Sequence, residues 1–523
     1  MHMSLYRKQR EKGAMMILLL TMIPLFLIPI VGLAIDGTMC YLVQAKLAGA
    51  VDGAALGAGR LLGTPANTNE IAGEFLNVNF PTGWWRTRNL QPNITSSLNA
   101  GIDTINVSAT VDVPLLFMRI FGLDHSTVAA SATATRSDAR VELVLDRSGS
   151  MTIAGSDGVV AFPVMIAGVE NFVGMFTPGR DELGMVAFGG SAIVGYPTGR
   201  PYNTSPTSAG GPDTGFATNS TTGPLFTQLN AMNGGGGTGM AEGLSLAFIE
   251  LQKAHNRDFT ANGADNRQNS IVLFTDGVPT TLAVQPNYNA GLSATVVSSS
   301  SSCTYKATQT SGSTHIMQGW VGVPGSNASN WGTPLGLYDL ATYDTSKTLT
   351  QWLGYMSPYD QITTNPSGAL AGCSGLNNPG ASGSPDNLNE LSAVPTYDVY
   401  GNSTSSTDNG YQNSTQVYNG TAYDPTKPTH GYHLAIGIWN AVDNVGKTIR
   451  AQTVMGTPIT IYTIGYEGNG GTDDVLLKRL ANESDSTSFV ASQPQGQFYP
   501  VTASNQLGAV FAKVGSNILR LAK

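Results

Sequence analysis

The first pattern in the sequence is an uncharged apolar run from Gly13 to Ile35. At about 1.5 Å rise per residue, a helix over this run is about 34 Å long, enough to cross a hydrocarbon core of about 30 Å. Asp36 follows the run, and four basic residues precede it: Arg7, Lys8, Arg10 and Lys12. The positive-inside rule therefore predicts a single-pass membrane protein with a cytoplasmic N-terminus and the bulk of the chain on the other side of the membrane.

A cleaved signal peptide is the alternative interpretation of this run. The small residues of Gly32-Leu33-Ala34 would suit a cleavage site. The apolar run is, however, longer than the 7–15 residues typical of the hydrophobic part of a signal peptide. The pattern therefore favours a retained anchor.

A helical pattern continues beyond the run, from Gly37 to about Leu62. We expect an apolar stripe on this helix that includes Leu42, Ala45 and Leu56. Three glycines recur every four residues and share one helix face, where another backbone can approach closely: Gly49, Gly53 and Gly57. This face is suited either to packing within the chain's own domain or to pilus-like packing between helices.

The N-terminal region resembles the TadE/TadG-type proteins of the bacterial Tad (Flp) pilus machinery. The resemblance covers about residues 8–63, with a basic start, an apolar span, an acidic residue and then LAGAVDGAALGAG. Residues 104–136 also look similar, and their apolar and polar positions alternate as in β-strands. Pilin-like members have a Glu a few residues after the glycine of the cleavage site, whereas this sequence has none shortly after Gly13. The difference argues against prepilin processing and against incorporation as a major pilin subunit.

The second half of the sequence alternates buried strands with amphipathic helices. Strands are predicted at 141–145, 183–188, 270–274 and 459–464, and helices at 162–176, 240–253, 431–451 and 473–481. Such alternation is typical of an α/β fold with a mostly parallel sheet flanked by helices. Ligands bind such sheets at the carboxyl ends of strands, next to a topological switch point.

Oxygen-bearing side chains are found at these strand ends. Asp146, Ser148 and Ser150 follow the first strand, Asp276 follows the third, and Thr238 comes after four consecutive glycines. Two carboxylates and three hydroxyls suit a hard cation, Mg²⁺ or another divalent ion such as Mn²⁺ or Ca²⁺. Because Mg²⁺ takes six ligands, such a set leaves a position for a partner's Asp or Glu.

These five residues match the metal-ion-dependent adhesion site of the von Willebrand factor A (vWA) family, which the sequence resembles over about residues 139–278 and 431–523. The resemblance implies a Rossmann-like vWA fold that binds a protein ligand through a metal, without catalysis. An empty site, or one used only for internal bracing, is the alternative.

Residues 279–430 interrupt the vWA pattern with a segment rich in Ser, Thr, Asn and Gly. A structureless loop of this length is uncommon, so we expect a small, largely β subdomain or partial disorder. Its base lies on the metal-bearing face, where it would recognise a partner, gate the site or only decorate it. Cys303 and Cys373 both lie in this segment and would pair in an oxidising compartment, whereas Cys40 is isolated near the membrane.

Composition restricts the function. The net charge of −8 gives no basic surface for nucleic acid, and three cysteines exclude a four-cysteine zinc site. No P-loop, HExxH, nucleophile elbow or catalytic triad spacing occurs. The predicted organisation is a membrane and pilin-like helix over residues 1–63, a small β-rich module over 64–138, and a vWA domain over 139–523.

The function that these patterns favour is metal-dependent protein binding in the cell envelope, in the assembly, anchoring or adhesion of a Tad-type pilus. The expected partners are pilus subunits or Tad machinery, besides the inner membrane that holds residues 13–35. Two rival functions differ in class. One is a surface adhesin unrelated to pili, which binds a host or matrix protein through the metal. The other is a hydrolase housed in the insertion.

Overall fold

The computed structural model describes a defined part of the chain: residues 15–16, 20, 22–62, 67–197, 207, 210–216, 223–284, 294–295, 306–307, 317–322, 333–339, 394–414, 422–426, 431–468 and 471–521. Two compact units follow one another, the first ending at Ser137 and the second beginning at Asp138. Each has its own hydrophobic core.

The N-terminal unit combines helices with an antiparallel sheet. After a π-helical turn at Ile23–Leu27 come α1 (Ile28–Gly59), α2 (Thr68–Asn79), β1 (Arg88–Asn99), β2 (Ile102–Pro114) and β3 (His125–Ser137). The strands pair in the order β1-β2-β3. The alternation predicted for residues 104–136 is confirmed, since Ile105, Val107 and Ala109 face the core. Helix α2 was not predicted; the side chain of Asn67 caps its start by accepting from the Glu70 N–H.

The buried face of α1 differs from the predicted stripe. Leu42, Ala45 and Leu56 are exposed. Small and branched residues at other positions pack against the sheet and α2: Val43, Leu47, Ala50, Val51, Ala54, Ala55 and Ala58. The predicted stripe is therefore not the buried face of α1, because the side of the helix that is buried is decided by contacts with the sheet and α2.

The glycine face of α1 packs within its own unit at two of its three positions. A Cβ added at Gly57 would lie 2.9 Å from the Phe75 ring of α2, and one at Gly53 would lie 3.4 Å from Asn79 Nδ2. At Gly49, no heavy atom of the described residues lies within 4 Å of such a Cβ. Of the two interpretations of this face, packing within the chain's own domain describes Gly53 and Gly57.

Helix α1 is the one helix among the described residues that is long and apolar enough to cross a membrane. Its first turns and the preceding residues leave large apolar side chains exposed: Met22, Ile23, Phe26, Leu27, Ile28, Ile30, Val31, Leu33 and Ile35. An apolar surface all round a helix is typical of a membrane span.

The second unit is built on a six-stranded sheet. In chain order its elements are β4 (Ala139–Asp146), α3 (Ala161–Val173), β5 (Glu182–Phe188), β6 (Ala192–Tyr196), α4 (Pro224–Asn230), α5 (Met240–Asn262), β7 (Gln268–Thr275), the short strands β8 (Thr281–Val284), β9 (Ala294–Thr295), β10 (Lys306–Ala307), β11 (Met317–Gly322) and β12 (Thr333–Asp339), then α6 (Gly431–Ala451), β13 (Ile459–Tyr466), α7 (Asp474–Ala481), β14 (Phe498–Val501) and α8 (Leu507–Leu521).

The sheet order is β14-β13-β7-β4-β5-β6, and every pair is parallel except β5 with β6. This confirms the predicted fold class, a mostly parallel sheet between helical layers. Strand β4 is buried throughout, and its side chains alternate between the faces. Val141, Leu143 and Leu145 face α3 and α8, whereas Val144 faces α5 and α6.

The predicted insertion lies only partly within the described residues. Strands β12, β11 and β8 form a small antiparallel sheet, and β9 pairs with β10. Residues 394–414 then return to the main fold, where the Val399 N–H donates to the Ala283 carbonyl and Asn402 Nδ2 donates to Ser245 Oγ of α5. The predicted pair Cys303 and Cys373 lies outside the described residues.

Candidate metal centre

The candidate site lies at the carboxyl ends of two central strands. From β4 the chain continues to β5 on one side, whereas the later strand β7 joins β4 on its other side. The boundary between β4 and β7 is therefore a topological switch point, where α/β sheets bind ligands. Asp146 is the last residue of β4, and Asp276 immediately follows β7.

The loop after Asp146 directs its polar groups back toward that carboxylate. The Ser148 N–H donates to Asp146 Oδ1 at 2.7 Å, and the Ser148 and Ser150 hydroxyl oxygens lie 2.9 Å apart. A 3₁₀ turn, Gly149–Thr152, keeps both serines on the same side. The loop thus presents one carboxylate and two hydroxyls from five consecutive positions.

Asp276 joins this group from the neighbouring strand. Its Oδ1 accepts from Ser150 Oγ at 2.7 Å and from Ser148 Oγ at 3.5 Å. Its Oδ2 is buried and has no hydrogen-bond partner among the described residues. Burial, and then the negative charge of Asp146, raise the pKa of Asp276 to about 7. Burial also raises the pKa of Asp146 above its usual value.

Thr238 is carried by the glycine-rich loop, which is bonded to the first loop through backbone groups. Gly149 N–H donates to the Gly236 carbonyl at 2.9 Å, and Gly235 N–H donates to the Arg147 carbonyl at 2.6 Å. Gly236 has a φ of +89°, a conformation that favours glycine. The Thr238 main chain is held from the other side by Thr280, whose hydroxyl accepts from the Thr238 N–H at 2.8 Å.

The donor set fits a hard divalent cation. Asp146 and Asp276 are buried together, and the unpaired Asp276 Oδ2 lacks the positive partner that a buried carboxylate requires. No three His, Cys, Asp or Glu side chains in the described part of the chain converge to hold a metal. A cation here would therefore depend on the Ser and Thr hydroxyls, which suit Mg²⁺ better than Zn²⁺. The metal assignment of the five residues stays a prediction.

Two further threonines support the site but were not predicted. Thr275, the last residue of β7, donates its hydroxyl to Asp146 Oδ2 at 2.6 Å. Thr280 holds Thr238, as described above. Both belong to the segment around Asp276, TDGVPTT. Their closeness in sequence to a candidate ligand could have indicated that they support the site. Spacing alone does not distinguish a hydroxyl that would bind metal from one that orients a ligand.

Sequence comparison supports the interpretation of the N-terminal region. Residues 13–61 match the family model described as putative Flp pilus-assembly TadE/G-like, and residues 49–134 match the model described as putative Tad-like Flp pilus-assembly. The resemblance inferred from residues 8–63 and 104–136 is thereby confirmed. Among curated proteins, none matches this sequence.

Several solved structures are similar to this chain at low identity. The PilB minor pilin from Streptococcus sanguinis is 14% identical, with 84% of this chain and 80% of that chain covered and a TM-score of 0.33. The vWF domain of the type V pili tip protein Mfa5 from Porphyromonas gingivalis is 16% identical, with 75% and 98% covered and a TM-score of 0.32. A von Willebrand factor type A protein from Catenulispora acidiphila is 11% identical, with 82% and 50% covered and a TM-score of 0.29.

Proposed function

We propose that this chain, whose residues 13–134 match Tad pilus-assembly family models, is a membrane-anchored cell-envelope protein that binds a protein partner through a divalent metal ion. The partner would belong to a Tad-type pilus, as a subunit or a part of its assembly machinery. The role would be assembly, anchoring or adhesion of that pilus.

The observation that carries the metal-dependent part is the burial of Asp146 and Asp276 beside the hydroxyls of Ser148, Ser150 and Thr275, with no Lys, Arg or His of the described residues bonded to either carboxylate. Two carboxylates in such a place repel each other, so a cation would stabilise the pair. Asp146, Ser148, Ser150, Thr238 and Asp276 would hold Mg²⁺ directly or through water. The bound ion would supply a positive charge at the surface of the switch point.

The partner would bind at the coordination position of the ion that the residues of this chain leave open. Mg²⁺ prefers octahedral coordination and readily keeps waters. An Asp or Glu carboxylate on the partner would replace one such water, which makes binding depend on both the metal and the carboxylate. A binding role, rather than catalysis, agrees with this arrangement, since the five side chains provide ligands and no separate acid–base pair. A broad hydrolase screen tests the rival enzymatic function.

Calorimetry with Mg²⁺ on the full chain in detergent tests the site. We expect binding by the wild type and its loss in Asp146→Ala. The matched control is Asp157→Asn, which removes one nearby negative charge from a carboxylate that already accepts the Ser504 and Val159 N–H groups. Equal Mg²⁺ binding by wild type and Asp146→Ala would show the site assignment to be wrong.

Copurification tests the biological partner. Native protein isolated in Mg²⁺ should retain pilus components and release them in a chelator, and Asp276→Asn should fail to retain them. Chelator-sensitive retention of a host or matrix protein, with no pilus component, would instead support the adhesin unrelated to pili.

A further inference from the structure

The connection between β2 and β3 carries an unusual group of exposed apolar side chains. We name residues 115–124 the hairpin tip. Four of its side chains are 52–75% exposed: Leu116 52%, Ile120 75%, Phe121 59% and Leu123 52%. The Leu115 N–H donates to the Asp124 carbonyl at the base, so the tip is a closed loop. Concentrated apolar exposure of this kind marks an interaction surface.

The hairpin tip is bonded to α1 at one place. The Asp36 carboxylate is buried and accepts three consecutive backbone N–H groups, from Leu116, Phe117 and Met118, at 2.9, 3.0 and 2.8 Å. One turn earlier, the absence of a side chain at Gly32 makes room for Phe117. A Cβ added at Gly32 would lie only 2.5 Å from Phe117 Cβ. The position of the tip along the helix is therefore determined.

That position is the end of the apolar run. Gly32 precedes Asp36 by four residues, about 6 Å along a helix axis. Beside the tip, the helix exposes further apolar side chains at Val31, Leu33 and Ile35. The exposed apolar surface of the span thus continues onto the hairpin tip at the same level along the axis of α1.

We infer that the hairpin tip lies in the membrane interface and binds the lipid surface beside the anchor helix. Interfacial elements bury their apolar side chains about 5–10 Å into the boundary of head groups and acyl chains, and the tip contacts α1 at the last turn of the apolar run, between Gly32 and Asp36. Arg119, exposed and 3.3 Å from Asp124, would extend its guanidinium among the lipid phosphates. Asp36 is the positioning residue, because its bonds keep the loop at this depth.

The distribution of exposed apolar side chains along the sheet favours a lipid over a protein occupant. Near the other end of β2, about 40 Å away at 3.3 Å per residue, Leu98 of β1 is an exposed apolar residue. The hairpin tip, at the end where the span emerges, exposes four such side chains within eight residues. The tip has one basic and one acidic residue, Arg119 and Asp124, so its net charge is zero.

Depth measurement on the full chain in phosphatidylethanolamine–phosphatidylglycerol vesicles tests the inference, which rests on the membrane anchor of the proposed function. The three native cysteines are replaced by serine, and a polarity-sensitive fluorophore is attached through Ile120→Cys, Val31→Cys or Leu98→Cys. We expect nitroxide-bearing lipids to quench the labels at 120 and 31 strongly, and aqueous iodide to quench only the label at 98.

The three labels separate the two hypotheses. Quenching by lipid at 31 but not at 120 would overturn the hairpin inference and leave the anchor intact. Absence of lipid quenching at 31 would overturn the anchor and the inference together. Since Ile120 is exposed, labelling there leaves the core unchanged.

A second variant tests the role of Asp36. Asp36→Ala removes the acceptor of three N–H groups, so the label at 120 should lose most of its lipid quenching while the label at 31 keeps it. Asp52→Ala, an exposed carboxylate on the same helix, is the matched control and should change neither label. Unchanged quenching at 120 in Asp36→Ala would exclude a positioning role.

Discussion

Two groups of buried carboxylates lie at opposite ends of the same strand, β4. At its amino end, Arg140 is bonded to Glu182, Asp258 and Asp265. At its carboxyl end, Asp146 and Asp276 accept hydrogen bonds from hydroxyl and backbone groups. Both groups are almost completely withdrawn from water, yet their charges are balanced in different ways.

The amino-end group contains its own cations. Arg140 Nε lies 2.5 Å from Glu182 and Nη1 lies 2.6 Å from Asp265, while Arg257 and Arg267 add further ion pairs. Five donors on a planar guanidinium allow one arginine to satisfy several carboxylates. The amino-end acids are therefore balanced by arginines of the chain itself, whereas the carboxyl-end pair is bonded to hydroxyl and backbone groups and is where an external cation would act.

The largest effect is expected when the cation of the amino-end group is removed. Arg140→Met leaves Glu182, Asp258 and Asp265 with less positive charge in a buried place, which should lower the free energy of unfolding by about 3–5 kcal/mol. Denaturant unfolding of the second unit, followed by tryptophan fluorescence, measures it. A loss below 1 kcal/mol would mean that water or the other arginines compensate the acids.

At the carboxyl end, addition of a cation should have the opposite effect. Mg²⁺ at 100 times its Kd would stabilise the wild type by about 2.7 kcal/mol. Asp146→Asn should abolish this gain and, in chelator, unfold no more easily than the wild type, because it also removes the repulsion with Asp276. Equal Mg²⁺ stabilisation of the variant and the wild type would contradict the difference between the two ends.

Between the two groups lies Glu142, whose carboxyl oxygens are buried without a hydrogen-bond partner among the described residues. Burial, and then the charge of Glu250, raise the pKa of Glu142 well above its usual value. The folded state then holds a proton that the unfolded chain releases above its own pKa of about 4.3. Stability should therefore fall as pH rises from that value through the folded pKa.

Glu142→Gln should reduce this pH dependence. The free energy of unfolding of the variant should differ from that of the wild type by about 1–3 kcal/mol, which is the cost of an unsatisfied buried polar group. Unfolding midpoints between pH 4 and pH 8 measure it. Exposed Glu467→Gln is the matched control. Parallel pH curves for wild type and Glu142→Gln would show that Glu142 finds a compensating partner.

The smallest effect concerns an exposed ion pair. Lys478 Nζ lies 2.6 Å from Asp485 Oδ2, but both side chains are more than a third exposed. Solvent screens such pairs, so Lys478→Met should leave the unfolding midpoint unchanged within error. A loss similar to that of Arg140→Met would mean that burial is not what distinguishes the two pairs.

The central strands and the strand ends that carry the candidate ligands were predictable from local sequence. Buried apolar runs such as 270–274 predict strands, and an Asp directly after such a run is at a strand end, as Asp146 and Asp276 are. Helix α6 begins and ends where periodicity predicted it. These features depend on residues that are close in the chain.

The remaining features depend on distant residues. Arg140 bonds to an acid 125 positions later, and Asp36 bonds to N–H groups about 80 positions later, so local periodicity contains neither contact. The buried face of α1 was mispredicted for a related reason. The sheet and α2 decide which residues of α1 face inward, and neither element is contained in the periodicity of α1 itself.

The glycine contacts of α1 have a consequence for polymerisation. Gly53 and Gly57 lie against Asn79 and Phe75 of the same chain, so that face is already saturated by an intramolecular neighbour. A copy of this helix could not use these two glycines to pack against the next subunit without displacing α2. Helix α2 therefore covers this face of α1 in the way that a capping repeat covers the end of a repeat protein. Any contact between subunits of a filament would have to use another side of the helix.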